Sequence, residues 1–409
     1  MATTLLRQAT IVHTAVTAGP PVHEVADVVI SDGVITAVAS ASDSVDEPID
    51  DSIDLDGHLL LPAAVEPHAH LDKAFMAERA ENITGDLEGA IDAMVAIADQ
   101  ITQADIEQRA ERAARLMAAN GYTAVRTHVD LTEYTGLQNT LALVEVRRRL
   151  ADLIDIEIVA LTGRPVVGAG GAEHRALLAD ALAAGADLVG GCPHLEPDGA
   201  IEASTDVLLG IAVDAGVGVD LHTDETLDPT VLGLEYLADQ VLAGFEHQVT
   251  ASHCVSLGQQ SAAEQDRVAE KVAAAGIGVV TLPHTNLWLG GRDRQPVPRG
   301  LTAVDALRRA GVAVAAGADN LQDPFNPMGR ACPFETAALM VLVAHDLPTT
   351  AWRSVSADVR RVLGRPGGSI EPGQPADLVA VPAATLRQAI AEGPVPRRIV
   401  RSGVELVQR

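Results

Sequence analysis

Eight times between residues 59 and 366 a short apolar, strand-like segment is followed by a helix-like or loop segment. Polar residues gather where the strand-like segments end. Together these two observations predict an α/β fold, a (β/α)8 TIM barrel. A third observation concerns the ends of the chain. Both termini are β-rich and short, and neither could bury a core alone, so they are expected to form one small β-sandwich domain. The expected division is 1–58 plus 367–409 for the composite β-sandwich and 59–366 for the barrel. An open doubly wound sheet is the alternative, and the barrel is preferred because nearly every strand ends in polar groups.

Composition narrows the class. The 409 residues suit one large barrel with a smaller module. The chain is rich in Ala and Val and only 2% aromatic, as expected of a parallel α/β core built from small and β-branched side chains. Lys and Arg total 29 against 56 Asp and Glu, a formal net charge of −27. That argues against nucleic acid or an anionic membrane as partner and for a soluble protein, and it says little about a small-molecule substrate, because the local field matters more than the net charge. Cys192, Cys254 and Cys332 show no pairing pattern, so a reducing, cytoplasmic setting is expected. No signal peptide and no membrane span are expected from the pattern of apolar residues. Lysine occurs only as Lys73 and Lys271.

In chain order, ADVVISDGVITAVAS reads as strand, Asp32 and Gly33 as turn, then strand. An acidic, turn-rich segment, DEPIDDSIDLDGH, precedes the first barrel strand, expected over 59–70. Helix is expected over 86–119, interrupted near Thr102, a plausible cap. Strands are then expected at 124–130, 154–163, 187–196, 217–225, 248–254, 277–284 and 312–320. Helices are expected near 136–150, 173–184, 204–215, 229–243, 261–275, 302–310 and 331–346. The C-terminal stretches GGSIEPGQPADLVAVPA and RRIVRSGVELVQR return to β character.

The strand ends carry His68 and His70, His128 and Asp130, Arg164, His194 and Glu196, His222 and Glu225, His253, His284, and Asp319 with Asn320. Residues two apart on a strand face the same way, so His68 and His70 can grip one ion. His68, His70, His222 and Asp319 assemble into a shell of three nitrogens and one carboxylate for one divalent metal ion. Zinc is favoured, and iron or another transition metal is possible. Such an ion lowers the pKa of a bound water towards about 7 and makes hydroxide available. Glu225, three residues beyond His222, is placed to pass a proton to a leaving group. His253 is placed to bond the hydroxide or a developing oxyanion. Two-metal barrels bridged by a modified lysine are disfavoured, because neither lysine falls at the end of strand three or four.

Several residues admit two readings. Asp72 caps the next segment and Lys73 is a surface lysine, or Lys73 reaches into the pocket to a polar substrate atom. Arg126 and His128 orient ligands from behind, or form a structural polar network. Asp224 is a turn or supporting residue, and Cys254 a small buried residue rather than a nucleophile.

VEPHAHLDK, VRTHVD, GADLVGGCPHLE, DLHTDE, VTASHC and GADNLQDPFNPMG, in this order and at barrel spacing, together resemble the amidohydrolase superfamily, in its cytosine deaminase-like branch. SIEPGQPADLVAV is similar to the return strand of that family's composite β-sandwich. The resemblance implies one metal on His68, His70, His222 and Asp319. It implies Glu225 as proton shuttle to a substrate nitrogen, His253 as partner of hydroxide or carbonyl oxygen, and Asp319 as acceptor of the water's proton. It also implies a homo-oligomer.

Gly163 and Arg164 stand where cytosine deaminases carry a glutamine, Asn320 follows Asp319 in place of a second acid, and Phe325 replaces a tryptophan. The HLDK form is similar to that of N-isopropylammelide amidohydrolase. Lys73, Arg164, His194, His284, Asn320 and Phe325 are the expected substrate contacts. The expected reaction is deamination or dealkylamination of a pyrimidine- or triazine-like heterocycle by metal-bound hydroxide. Hydrolysis of a cyclic or acyclic amide or carbamate is the alternative, and a non-catalytic metal-binding barrel is the third.

Overall fold

The computed structural model describes residues 3–13, 22–40 and 48–406. Two eight-stranded sheets carry the architecture. The parallel one is a TIM barrel of strands β1 (Ala64–Ala69), β2 (Tyr122–Leu131), β3 (Asp155–Thr162), β4 (Leu188–Gly191), β5 (Val219–Thr223), β6 (Val249–His253), β7 (Gly278–Thr281) and β8 (Val314–Ala316). Each pairs with the next in sequence. Helices intervene because their apolar faces must cover the outside of the sheet, and their starts are capped as the sequence indicates. Thr102 accepts from Asp105 N, and Ser261 accepts from Glu264 N.

The seam between β8 and β1 is closed by residues of the strand ends. Asp319 N donates to His68 O at 3.1 Å, and Ala69 bridges to Asp319. Glu66 supports the closure from inside the wall, accepting from Ala318 N at 3.0 Å and His68 N at 3.3 Å. Burial pushes its carboxyl up to about 8. A side chain at position 317 would meet Glu66 Oε1 at 2.5 Å, so Gly317 is what lets the carboxylate reach the backbone.

The second sheet joins both ends of the chain. Its strand order is 404–406, 398–401, 378–381, 59–62, 3–13, 22–31, 34–40, with 51–54 beside 3–13. Asp32 and Gly33 turn the hairpin with φ of 51° and 78°, the mirror-image turn that suits strand twist. The apolar run expected as one barrel strand over 59–70 is therefore two strands. Leu59–Pro62 runs antiparallel to Leu378–Val381 in the terminal sheet. Two residues later Ala64 N bonds Gly121 O and the barrel begins. Pro62 has no N–H to continue a ladder, and both pieces are buried, so hydrophobicity alone does not mark the break. Period-two alternation makes this strand the staple between cores: Leu59 and Leu61 pack into the barrel cluster, and Leu60 into the cluster of the terminal sheet. Three helices not expected from the sequence, Pro348–Ser354, Ala357–Val362 and Leu386–Glu392, lie in the C-terminal part of the chain. Trp352, fully buried against Phe334 at 4.6 Å, anchors the first of them.

Candidate active site

Inward-facing positions of a barrel strand are two residues apart, and most barrels fill them with Val, Ile and Leu. Here they alternate polar groups instead: Glu66, His68 and His70 on β1 and just beyond it, Arg126 and His128 on β2, Asp220 and His222 on β5, Thr250 and Ser252 on β6. All nine are buried. The upper layer brings His68, His70 and His222 together with Asp319, which lies just past β8.

The four candidate ligand atoms converge. His222 Nε2 lies 3.2 Å from His68 Nε2 and 3.3 Å from His70 Nε2. Asp319 Oδ1 lies 3.6 Å from His68 Nε2 and 3.3 Å from His70 Nε2, and this buried oxygen has no hydrogen-bond donor. A tetrahedral ion with bonds of about 2.0–2.1 Å separates its ligands by about 3.3–3.4 Å. The spacing fits such an ion. Burial first, and then the neighbouring histidines and Lys73, which oppose a further positive charge, hold His68, His70 and His222 well below the ordinary imidazole pKa. They are therefore neutral, the form that binds metal. Strand ends that turn side chains inward are strained: Asp224, His253, Cys254 and Asp319 have φ of 50°, 68°, 50° and 63°. Non-glycine residues in that region cost of order 1–3 kcal/mol each, and they collect at the barrel mouth.

Glu225 and His253 stand beside the cluster, with His253 Nδ1 3.3 Å from Glu225 Oε1. Burial, and then the charge of Asp319, raises the Glu225 carboxyl well above its usual range, which favours the protonated form that a general acid needs. Asn286, which the sequence reading passed over, joins the two. Its Nδ2 donates to Glu225 Oε1 at 3.2 Å and to His253 Nδ1 at 3.0 Å. With Nδ1 accepting, the His253 proton sits on Nε2, which lies 4.0 Å from Asp319 Oδ2. Asn286 sits on a short helix directly after β7, Pro283–Leu289, just beyond the strand expected over 277–284 and in a stretch where no element is expected. Asn286→Ala is expected to lower kcat on the order of 10²-fold, leaving KM and metal content close to wild type, because it frees both groups from their orientation. Steady-state kinetics with metal analysis checks this; an unchanged kcat would remove Asn286 from the machinery.

A cavity of about 160 Å³ opens beside His70, His222, Glu225, His253 and Asp319. Leu131, Leu161, Leu195, Leu208 and Phe325 give it apolar walls. Lys73 and Asp130 form a polar face, with Nζ 2.9 and 3.0 Å from the two carboxylate oxygens and 4.9 Å above the Phe325 ring. Lys73 is only 6% exposed, so it is not a surface lysine. Burial alone would lower its pKa; Asp130 and Asp72 outweigh that and keep it charged. Asp72 does not cap the following segment. It accepts from Asp130 N and Asn139 Nδ2, both at 3.0 Å, and so fixes the strand end that carries Asp130.

Of the other expected contacts, Arg164 and Asn320 line the cavity with Phe325. Arg164 donates to Leu195 O at 3.1 Å, and Asn320 to Asp323 Oδ2 at 2.8 Å. The remaining two histidines are engaged elsewhere. His194 bonds His222 O at 3.1 Å, and His284 bonds Thr336 Oγ1 at 3.2 Å. Neither is among the residues that wall the cavity. Asp224 caps the helix Gly233–Leu242, accepting from Gly233 N and Leu234 N. Cys254 is fully buried, and burial raises its thiol well above the usual range, so it is inert.

A parallel barrel with three neutral imidazoles, one carboxylate and a buried glutamic acid at its C-terminal mouth defines a metal-dependent hydrolase of the barrel class. The chain belongs to the amidohydrolase family, whose family model matches residues 76–397, and it is an enzyme acting on carbon–nitrogen bonds. It is 34% identical over 385 residues to a pterin deaminase of Rhizobium rhizogenes, covering 92% of this chain and 87% of that protein. Its fold matches 5-methylcytosine deaminase of Klebsiella pneumoniae liganded with 5-fluorocytosine, with a TM-score of 0.88 and 30% identity over 99% of this chain and 97% of that one. It also matches N-isopropylammelide isopropylaminohydrolase of Burkholderia multivorans, with a TM-score of 0.83 and 30% identity over 99% and 98% of the two chains. Among the described residues no helix is long and apolar enough to cross a membrane.

Proposed function

We propose that this enzyme releases ammonia from a small aminated heterocycle that carries a lactam, of the pterin or pyrimidine kind, and that His68, His70, His222 and Asp319 hold the divalent ion, zinc foremost. Such an ion, when bound, supplies an activated water at neutral pH. The observation that carries the reading is Glu225, a buried acid beside the cluster at the end of an apolar slot. Asp319 takes the proton of the attacking water. His253, with its proton on Nε2, donates to the attacking oxygen and orients it towards the ring carbon, whose C=N electron pair moves onto the ring nitrogen as the carbon becomes tetrahedral. Glu225 gives its proton to the exocyclic nitrogen. The C–N bond breaks, a C–O bond replaces it, and ammonia leaves.

The Lys73/Asp130 pair supports the substrate class. A lone lysine would select an anion. Pinned against a carboxylate, it offers a neutral edge with a donor beside an acceptor, which matches the C=O and N–H of a lactam. Half-exposed Arg164 lines the slot together with the apolar walls of Leu131, Leu161, Leu195 and Leu208, which suit the faces of a flat ring system. The likeness to a pterin deaminase agrees with a two-ring substrate. The three free cysteines suit a reducing, cytoplasmic setting.

The test is ammonia release by zinc-loaded protein from pterins, aminopyrimidines and aminotriazines, each beside its N-methylated lactam analogue. Lactam-bearing substrates are expected to exceed their methylated analogues by about 10³-fold or more in kcat/KM. Alkylamine release from N-alkylated triazines would instead favour the dealkylating relatives. Ammonia from none of the panel would overturn the reading.

A further inference from the structure

Beneath the ligand layer lies a line of buried polar contacts that the proposed chemistry does not use. His68 Nδ1 is 2.9 Å from Ser252 Oγ. Ser252 Oγ donates to Asp220 Oδ1 at 3.0 Å. Asp220 Oδ2 accepts from Arg126 NH1 at 2.8 Å, and Arg126 Nε donates to Glu157 Oε2 at 2.7 Å. Arg126 NH1 also reaches Thr250 Oγ1 at 3.1 Å. His68, Ser252, Asp220 and Arg126 are at most 1% exposed, whereas the Glu157 side chain is 29% exposed near the start of its strand. The line thus runs from solvent at the opposite end of the barrel up to one ligand imidazole.

A buried ion pair such as Arg126 with Asp220 adds little stability over an apolar filling of the same space, so its presence calls for another reason. The direction of the contacts supplies one. Because the Ser252 hydroxyl proton is committed to Asp220, its oxygen can only accept from His68. That places the His68 proton on Nδ1 and leaves Nε2 bare, facing the other ligands.

We propose that Ser252 is a positioning residue that, backed by Asp220 and Arg126, fixes the tautomer and ring angle of His68 and raises its strength as a metal ligand. The carboxylate acts on the imidazole through the serine hydroxyl rather than by direct contact. Stacked His128, with ring centroids 3.8 Å from those of His68, keeps the ring plane. This inference rests on His68 being a ligand.

The experiment is zinc affinity, measured on the apo protein by competition with a colorimetric chelator, for wild type, Ser252→Ala, Ser252→Cys and Ser252→Thr. Histidine ¹⁵N spectra of the zinc-loaded proteins are recorded alongside. Ser252→Ala is expected to bind zinc 10- to 100-fold more weakly, the usual range for loss of a partner behind a ligand histidine. Ser252→Cys, which keeps volume but loses the strong hydrogen bond, is expected to behave alike and covers the case in which Ser252→Ala fails to fold. Ser252→Thr is expected to recover affinity, and the His68 Nδ1–H signal is expected further downfield, as a hydrogen-bonded proton, in wild type and Ser252→Thr than in Ser252→Ala and Ser252→Cys. Wild-type affinity in Ser252→Ala or Ser252→Cys, with the apo melting temperature lowered, would make the line a packing device and overturn the proposal. A His68→Ala control that binds zinc as tightly as wild type would instead overturn the ligand assignment, and the proposal with it.

Discussion

Glu225→Gln is expected to keep its metal and lose turnover by about 10²- to 10⁴-fold, the usual contribution of a positioned general acid or base. The amide retains the size of the side chain and can still meet Asn286, so the pocket and the ligand cluster stay in place. What it cannot do is release a proton to a departing nitrogen. The loss is expected almost wholly in kcat, since Glu225 does not belong to the apolar walls that bind the ring. The measurement is steady-state kinetics paired with metal analysis of the same preparations. Turnover within a fewfold of wild type would remove Glu225 from the proton path. Loss of metal together with turnover would show that it acts as a ligand instead.

His222→Ala is expected to abolish zinc-dependent activity and zinc-dependent stabilisation together. His222 Nε2 lies 3.2 and 3.3 Å from the two other imidazoles of the proposed shell, which without it falls to two nitrogens and a carboxylate. An ion present at about 1,000 times its dissociation constant stabilises the protein that binds it by about 4 kcal/mol. Added zinc should therefore raise the melting temperature of wild type and leave that of His222→Ala where it was. Relieving three crowded, neutral imidazoles of one member should leave the apo variant no less stable than apo wild type. A zinc-dependent melting shift in His222→Ala equal to that of wild type would remove His222 from the ligand set.

Much of this was legible along the chain. Eight strand-like segments with polar ends predict the barrel because each strand needs a buried, small and β-branched face, and each helix a periodic stripe, both of which are local properties. His68 and His70 announce themselves because a strand puts residues two apart on one side. The same rule applies to Arg126, and to Glu66 and Asp220, which the sequence reading passed over; that all three charges share the inward face becomes visible only once the barrel closes. The break after Pro62 was not legible, since both halves of the run are buried and hydrophobicity does not name the neighbouring strand. Nor were the directions of His194 and His284. Each lies in or beside a short helical turn past its strand end, Pro193–Leu195 and Pro283–Leu289, so strand alternation does not reach its side chain.

The sequence by itself determined the fold class, the order of its elements and the residues from which a metal cluster could be drawn. Only the tertiary structure decided which of them meet. Lys73 finds Asp130 across 57 residues, Asn286 finds Glu225 across 61, and Ser252 finds His68 across 184. No local propensity encodes such pairings. They follow from the register in which parallel strands hydrogen-bond around a closed barrel, and that register is a property of the whole sheet.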